Sequence, residues 1–324
     1  MQHKIIAILN NETQFDMARS MAPSGAELQL FTRRDAEKAR AAIANAEYMI
    51  ATLPPFDVGP EFFAAAPKLK LIQALTAGYD KWDLDAAAQA GVLIATNGGA
   101  NSAGVAEHAI MLMLALKRNL LQYHADVLSG KWWKIGEMPP VSDLAGQALG
   151  IVGFNSIGRK LARISAGFGM RVIYSDVVRL PPHEEDALGV TFRLLPELLR
   201  DADIVSLHVP LLPSTSKMIG TREFGLMKPS AILINTARGP VVDEAALIDA
   251  LTSGRIAGAG LDVLEKEPPD TDNPLFKMPN VVLTPHQAGH IFHYGEPALR
   301  NAFLNIGRML AGAPANWVVP ELRG

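Results

Sequence analysis

Short apolar runs alternate with longer amphipathic stretches along this chain, and the series runs through once and then starts again. Ile5–Leu9, Tyr48–Thr52, Leu69–Leu75 and Val92–Ala95 read as buried strands, with helices such as Ala36–Asn45 and Leu84–Ala90 between them. From Ala148 the alternation resumes. Ala148–Val152, Val172–Ser175, Ile204–Leu207, Ala231–Ile234, Gly258–Leu261 and Val281–Leu283 read as strands. Helices fall at about Ile157–Phe168, Leu194–Leu199 and Ala245–Thr252, the last with Asp243 as its N-cap. Such alternation predicts an α/β fold with parallel sheets covered by helices on both faces. Two successive series in 324 residues predict two doubly wound domains.

The segment Ser102–Arg118 reads as a long helix that is apolar nearly all round, so it is expected to be buried between elements or subunits, with Met111 and Met113 as core filler. The stretch Lys131–Asp143, with two Trp and two Pro, reads as an ordered connector, and a last helix is expected at roughly Pro297–Ala311. Hydrophobic residues at 49% against 19% charged give ample material for a core and exclude disorder. A net charge of −3 without a Lys/Arg cluster speaks against a nucleic-acid or anionic membrane surface. With no cysteine, disulfides, thiolate nucleophiles and sulfur-ligated metals are excluded, and no metal site is expected. Ile5–Leu9 is too short for a signal-peptide core, and the longest apolar run, Ala109–Leu116, is far below the roughly 20 residues of a membrane span. A cytoplasmic protein is the expectation.

After the strand Ala148–Val152 comes Gly153-Phe154-Asn155-Ser156-Ile157-Gly158 and then a helix. The dinucleotide fingerprint is G-x-G-x-x-G in this context: a tight turn, a close backbone approach to the pyrophosphate, and close packing of helix on strand. Helix N-terminal N–H groups then face the phosphates. Here Asn155 replaces the middle glycine; Asn tolerates positive φ, so the turn is expected to form, with the side chain turned away from the phosphates or bonded to them. Asp176 ends the next strand, where a carboxylate can accept both ribose hydroxyls of the adenosine half. It would also repel a 2′-phosphate, so NAD is expected over NADP. Arg179 could pair with such a phosphate but must also offset Asp176, and Pro181 and Pro182 limit how far its loop can re-form.

Three motifs follow predicted strands at their C-terminal ends, where open α/β sheets bind ligands: Asn235-Thr236-Ala237-Arg238-Gly239-Pro240, Asp262 to Glu267-Pro268, and Thr284-Pro285-His286-Gln287-Ala288-Gly289. Hydride transfer to a 2-oxo acid needs a cation that holds the carboxylate in a planar fork, which Arg does well. It also needs a general acid for the carbonyl oxygen, which His supplies near neutral pH. A carboxylate behind the His would hold the imidazole and favour its charged form. Taken singly, Arg238 could cap a sheet edge, Glu267 could be a surface acid and His286 a loop histidine. Their combination in one α/β unit favours the catalytic reading.

With these motifs, and with Ala77-Gly78-Tyr79-Asp80, Asn101 to Glu107-His108, and Ser206-Leu207-His208-Val209-Pro210, the sequence resembles the D-isomer-specific 2-hydroxyacid dehydrogenase family over nearly its whole length, in particular its glyoxylate/hydroxypyruvate reductases. The resemblance implies a Rossmann NAD-binding domain of residues 100–286 inserted into a flavodoxin-like substrate domain of residues 1–99 and 287–324. It implies Arg238 as the substrate-carboxylate ligand, His286 as acid/base with Glu267 as partner, and Ala77 and Gly78 N–H groups on the other carboxylate oxygen. Cofactor contacts are expected from Gly153, Asn155, Ser156, Ile157, Gly158, Asp176, His208, Pro210, Thr215, Thr236, Ala237, Arg238, Asp262, His286 and Gly289, with Asp262 near the carboxamide. A homodimer is implied, and so is the absence of the regulatory domain of the longer phosphoglycerate enzymes. Glu267, rather than Gln, distinguishes the chain from formate dehydrogenases, and the lack of Lys near Ala77 from phosphite dehydrogenases. The rim near Leu53–Asp57, Trp132, Trp133 and His290–Tyr294 is expected to set substrate choice. The alternative reading is a non-catalytic, dinucleotide-sensing regulator on the same fold.

Overall fold

The computed structural model describes residues 2–289 and 295–323. Internal contacts divide the chain into two units, Met1–Asn101 with His290–Gly324, and Ser102–Gly289.

The first unit begins with β1 (His3–Leu9), α1 (Glu12–Met21), β2 (Ala26–Thr32), α2 (Ala36–Ile43) and β3 (Tyr48–Ala51), then α3 (Pro60–Ala65), β4 (Leu71–Ala74), α4 (Leu84–Ala90) and β5 (Leu93–Ala95). All its strand pairs are parallel, in the order β2-β1-β3-β4-β5. This is the flavodoxin-like order. Side chains along a strand point alternately to the two faces. Ile6 and Ile8 therefore pack with Met49, Ile72 and Phe62 on one side, while Ile5 and Ala7 pack with Tyr48, Ile50 and Leu71 on the other. Strand β2 escapes the search for apolar runs because, at the sheet edge, each of its residues is only half-buried.

The second unit starts with α5 (Ser102–Lys117) and α6 (Leu120–Leu128). It continues through β6 (Ala148–Val152), α7 (Ser156–Gly167), β7 (Arg171–Ser175), α8 (Pro182–Leu188), β8 (Val190–Phe192), α9 (Leu195–Asp201) and β9 (Ile204–Leu207). The series ends with α10 (Thr221–Leu226), β10 (Ile232–Asn235), α11 (Glu244–Thr252), β11 (Gly258–Leu261) and β12 (Val281–Leu283). Its seven parallel strands run β12-β11-β10-β9-β6-β7-β8, so the chain reverses its direction of travel between β6 and β9. Open sheets of this kind bind ligands at that switch point, outside the carboxyl ends of the strands. Leu149, Ile151, Ile204, Ile232 and Ile234 face α5 and α7, whereas Val152, Val205, Leu207 and Leu233 face α9, α10 and α11. Asp243 caps α11 by accepting from the Ala246 N–H, as its position suggested. On α5, Met113 is fully buried but Met111 is 44% exposed, which corrects the reading of both as core filler.

Helix α12 (Gly295–Leu310) belongs to the first unit. Its Phe303 and Ile306 complete the apolar layer over Ile5, Tyr48 and Leu71. Asn305, in the same helix, is fully buried. Its Nδ2 donates to Gln73 Oε1 on β4 at 2.7 Å and to the Asn316 carbonyl at 2.9 Å, and its Oδ1 accepts from the Asn316 N–H at 2.6 Å. Gln73, also fully buried, spends its own amide N–H on the Thr96 carbonyl at 2.6 Å. This polar staple ties the C-terminal segment to the middle of the sheet, and each group in it is expensive to strand. Asn305→Ala is expected to destabilise the protein by about 2–4 kcal/mol, because Gln73 Oε1 and two backbone groups lose their partner inside an apolar layer; urea unfolding of the two proteins measures the difference.

Candidate active site

At the switch point of the second unit, Gly153 takes a φ of +92° directly after β6. A Cβ there would stand 2.7 Å from the His208 carbonyl carbon, and one at Gly158 would stand 2.5 Å from the Gly153 carbonyl oxygen. Only glycine lets the loop, helix α7 and the end of β9 approach this closely. Asn155 departs from expectation: its φ is −77°, extended rather than left-handed, because it is the N-cap of α7. Its Oδ1 accepts from the Ile157 N–H at 2.9 Å and the Gly158 N–H at 3.3 Å, and its Nδ2 donates to the His208 carbonyl at 2.6 Å. The side chain thus turns back onto the loop and bridges the two strands of the switch point.

Asp176 follows β7. Its Oδ2 accepts from the Phe154 N–H at 2.5 Å and its Oδ1 from the Val178 N–H at 3.2 Å, which fixes the carboxylate beside the fingerprint turn. A carboxylate has about four acceptor sites, so capacity for two hydroxyls remains. His208 and Thr236, at the ends of β9 and β10, are buried, and His208 Nδ1 and Thr236 Oγ1 have no hydrogen-bond partner. Thr215 Oγ1 donates to the Pro210 carbonyl at 2.6 Å and shapes the loop after β9. Two orphaned polar atoms, a glycine cradle and a strand-end carboxylate along one sheet edge fit a dinucleotide.

The ends of the three neighbouring strands β10, β11 and β12 carry the other groups. Asn235, buried at the end of β10, accepts the Ala237 N–H at 3.0 Å and donates to the Arg238 carbonyl at 3.0 Å, which closes the turn that presents Arg238. Gly239 follows, and a Cβ on it would lie 1.8 Å from the Leu264 carbonyl oxygen. The Arg238 turn therefore rests backbone to backbone on the loop that carries Glu267. His286 Nδ1 lies 2.6 Å from Glu267 Oε2, and the Leu264 N–H donates to Glu267 Oε1 at 3.2 Å. An ionised carboxylate only accepts, so Nδ1 carries the proton and Nε2 is left for other chemistry.

Asp262, 1% exposed, organises the His286 loop. Its Oδ1 accepts from the Thr284 hydroxyl at 2.6 Å and the Gln287 N–H at 2.9 Å, and its Oδ2 from the Ala288 N–H at 2.8 Å. The Asp262 carbonyl accepts the His286 N–H at 2.7 Å, which supports the positive φ of 52° at His286. Thr284 has one hydroxyl proton, given to Asp262, so His108 Nε2, 2.8 Å away, is the donor to its oxygen. Asp262 is expected beside the carboxamide, and its hydrogen-bond donors come from the loop that carries His286. His108, Thr284 and Gly239 were not singled out in the sequence, although all three stand inside its quoted motifs.

Ala77 and Gly78 lie in the first unit, just past the end of β4. The Thr76 hydroxyl sits 2.8 Å from the Gly78 carbonyl and 3.2 Å from the Thr52 carbonyl, which pins this turn to the end of β3. Gly289 is the last described residue of its segment, and His290–Tyr294, expected at the substrate rim, lie outside the described residues. Trp132 is 81% exposed, while the Trp133 Nε1–H donates to Asp126 at 2.8 Å. Among the described residues no cluster of His, Asp and Glu could hold a metal, and no helix is long and apolar enough to cross a membrane.

Burial pushes the His208 ring down from 6.5 to about 3, so it stays neutral in the folded protein. The unfolded chain takes up that proton near the ordinary value and the folded chain does not. Stability from this site is complete above about pH 6.5 and is lost as pH falls toward 3. His208→Gln is expected to flatten that acid-side loss, which melting temperatures between about pH 6.5 and 4 would read.

The model of the D-isomer specific 2-hydroxyacid dehydrogenase NAD-binding domain matches residues 110–288. A glyoxylate reductase of Thermococcus litoralis is 45% identical over 242 residues, 73% of this chain and 72% of that protein. The D-lactate dehydrogenase of Aquifex aeolicus, solved with NAD and lactic acid, superposes with a TM-score of 0.80 at 28% identity over 96% of both chains. An NADPH-dependent glyoxylate/hydroxypyruvate reductase of Sinorhizobium meliloti, solved with NADP and malonate, gives a TM-score of 0.81 at 28% identity, covering 99% of this chain and 98% of that one. Sequence, strand order and site geometry agree: the chain belongs to the D-isomer-specific 2-hydroxyacid dehydrogenase family.

Proposed function

We propose that the protein is an NAD-dependent reductase of small 2-oxo acids, glyoxylate or hydroxypyruvate first among them, working reversibly on the D-2-hydroxy acids. The observation that carries the reading is the His286–Glu267 pair at 2.6 Å, on a loop held by buried Asp262, with Arg238 at the end of the next strand but one. The glyoxylate reductase of Thermococcus litoralis supports the substrate class. Bound nicotinamide supplies the hydride donor or acceptor. Arg238 binds the substrate carboxylate and polarises the carbonyl with a forked, permanently charged group. In reduction, His286 Nε2 gives its proton to the carbonyl oxygen as negative charge develops there; in oxidation it takes the hydroxyl proton back. Glu267 holds Nδ1 and balances the imidazolium. The N–H groups of Ala77 and Gly78 serve the other carboxylate oxygen.

The cofactor set is Gly153, Asn155, Ser156, Ile157, Gly158, Asp176, His208, Pro210, Thr215, Thr236, Ala237, Arg238, Asp262, His286 and Gly289. Asn155 acts through the loop, since its oxygen caps Ile157 and Gly158. The orphaned His208 Nδ1 and Thr236 Oγ1 support this set. Asp176 supports NAD over NADP: a 2′-phosphate near it would meet repulsion on the order of several kcal/mol even at an effective dielectric near 20.

Assembly as a homodimer is part of the same reading. An open groove of about 530 Å³ on α5 and α6 is walled by Ile110, Met111, Leu114 and Leu120, and Leu121 and Leu128 are exposed nearby. Exposed apolar side chains along two adjoining helices call for cover, and a second copy would supply it. Light scattering at micromolar concentration is expected to give twice the 34.8 kDa chain mass; a monomer would count against this part.

NADH oxidation against a panel of 2-oxo acids tests the reading as a whole. No turnover with any of them, together with tight NADH binding, would favour the dinucleotide-sensing regulator. His286→Ala is expected to keep NADH binding and lose about 10² to 10⁴ in turnover. Arg238→Ala is expected to raise KM for the 2-oxo acid as well as lower kcat. Glu267→Gln lowers kcat less than His286→Ala does, since the imidazole itself remains. Near-native rates in all three would overturn the assignment. For the cofactor, kcat/KM with NADH is expected to exceed that with NADPH by at least about tenfold, and Asp176→Ala to narrow the gap.

A further inference from the structure

The loop between β7 and α8 carries one cation, Arg179, three residues beyond Asp176. Its guanidinium is taken in a fork: Nε donates to Glu185 Oε1 at 2.9 Å and Nη2 to Glu185 Oε2 at 3.0 Å. Glu185, on α8, is buried. Its Oε1 also accepts the Tyr174 hydroxyl at 2.8 Å, and that hydroxyl accepts the Leu180 N–H at 2.8 Å. The guanidinium lies 5.4 Å from the Phe192 ring centroid as well. Strand β7, the loop, helix α8 and strand β8 therefore meet at one carboxylate.

We propose that Glu185 is a positioning residue for cofactor choice: by sequestering Arg179 it withholds the guanidinium that would otherwise pair with a 2′-phosphate. The proposal rests on the reading of Asp176 as the ribose ligand and deepens it. Discrimination then comes from two carboxylates, Asp176 by repulsion and Glu185 by removing the counter-charge.

The energetics favour the sequestered state. To reach a phosphate, Arg179 would give up both bonds of its fork and leave a buried carboxylate with a single hydroxyl donor. Arg179 is 59% exposed but Glu185 only 10%, and stranding a buried carboxylate costs more than a new exposed pair contributes. Arg179 and Tyr174 together hold the Glu185 carboxyl below the usual carboxylate range, Arg179 foremost, and Glu185 in turn raises Arg179. Both shifts have the sign of a pair that stays charged. Pro181 and Pro182, between the two partners, restrict the backbone that would have to move. Glutamine at 185 keeps the size and an oxygen for Tyr174 but removes the charge that holds the fork.

The test measures kcat/KM for NADH and NADPH with glyoxylate in the wild type, in Glu185→Gln and in Glu185→Gln combined with Arg179→Ala, alongside thermal melts. Glu185→Gln is expected to raise the NADPH/NADH ratio about tenfold, the worth of one charge-assisted contact, and the added Arg179→Ala to return it close to the wild-type ratio. Arg179→Lys leaves the buried carboxylate in place: a lysine keeps the charge, loses the fork, and is expected to raise the ratio severalfold. A wild type that prefers NADPH overturns the reading of Asp176 and this proposal with it. A wild type that prefers NADH, with a ratio unmoved by Glu185→Gln and by Arg179→Lys, overturns the role of Glu185 alone. So does a gain in Glu185→Gln that survives Arg179→Ala.

Discussion

The buried Asp262 carboxylate is the interaction on which the end of the sheet that carries His286 depends. Three donors from one loop, the Thr284 hydroxyl and the N–H groups of Gln287 and Ala288, converge on its two oxygens. A carboxylate 1% exposed is tolerated there because both of its oxygens accept hydrogen bonds. The loop cannot move without stranding that charge, so His286 is held in a left-handed backbone conformation that a free histidine would rarely adopt. The chain thus uses one buried carboxylate to fix the backbone on both sides of His286. His108 on α5 extends the same network through Thr284, so the longest helix of the unit also supports the histidine.

Where Asp262 acts through hydrogen bonds, glycine acts through the absence of a side chain. Gly239 lets the Arg238 turn touch the backbone at Leu264, in the loop that carries Glu267. Gly153 and Gly158 do the same between the fingerprint loop, α7 and the end of β9. In each case two loops from neighbouring strands are brought closer than any Cβ would allow. The relative placement of Arg238 and the His286–Glu267 pair is therefore set by backbone contact rather than by long side chains that could shift. Proximity of reacting groups carries much of a rate enhancement, and a displacement of about an ångström costs rate steeply.

The central strands were legible in the sequence because they are buried on both faces and read as continuous apolar runs. Ala148–Val152, Ile204–Leu207 and Gly258–Leu261 match to the residue. Edge strands were legible unevenly: β12 reads as an apolar run, whereas Ala26–Thr32 alternates and Val190–Phe192 holds a threonine between its apolar residues. The short helices α3, α8 and α10 also went unread. Arg238, Glu267 and His286 were legible as residue types at strand ends. Their supports were not, because a satisfied Thr284 or His108 carries no local signature: its partner lies 22 or 176 residues away. Asn155 was misread for a related reason. Its tolerance of positive φ is a property of the residue alone, but the N-cap geometry that governs it belongs to the helix that follows.

The His286–Glu267 pair is close but not buried: the two side chains are 45% and 37% exposed. In water an ion pair of this kind is worth little, because solvent screens it. Its short hydrogen bond fixes which nitrogen carries the proton, and that needs no burial. Its electrostatic strength does. A substrate and a nicotinamide seated over Nε2 would exclude water from the pair and lower the local dielectric, so the support that Glu267 gives an imidazolium would grow when it is needed. The buried Asp262 works the other way, since its three hydrogen bonds to the loop are in place before anything binds. One acid thus holds the loop at all times, and the other acts in proportion to what covers it.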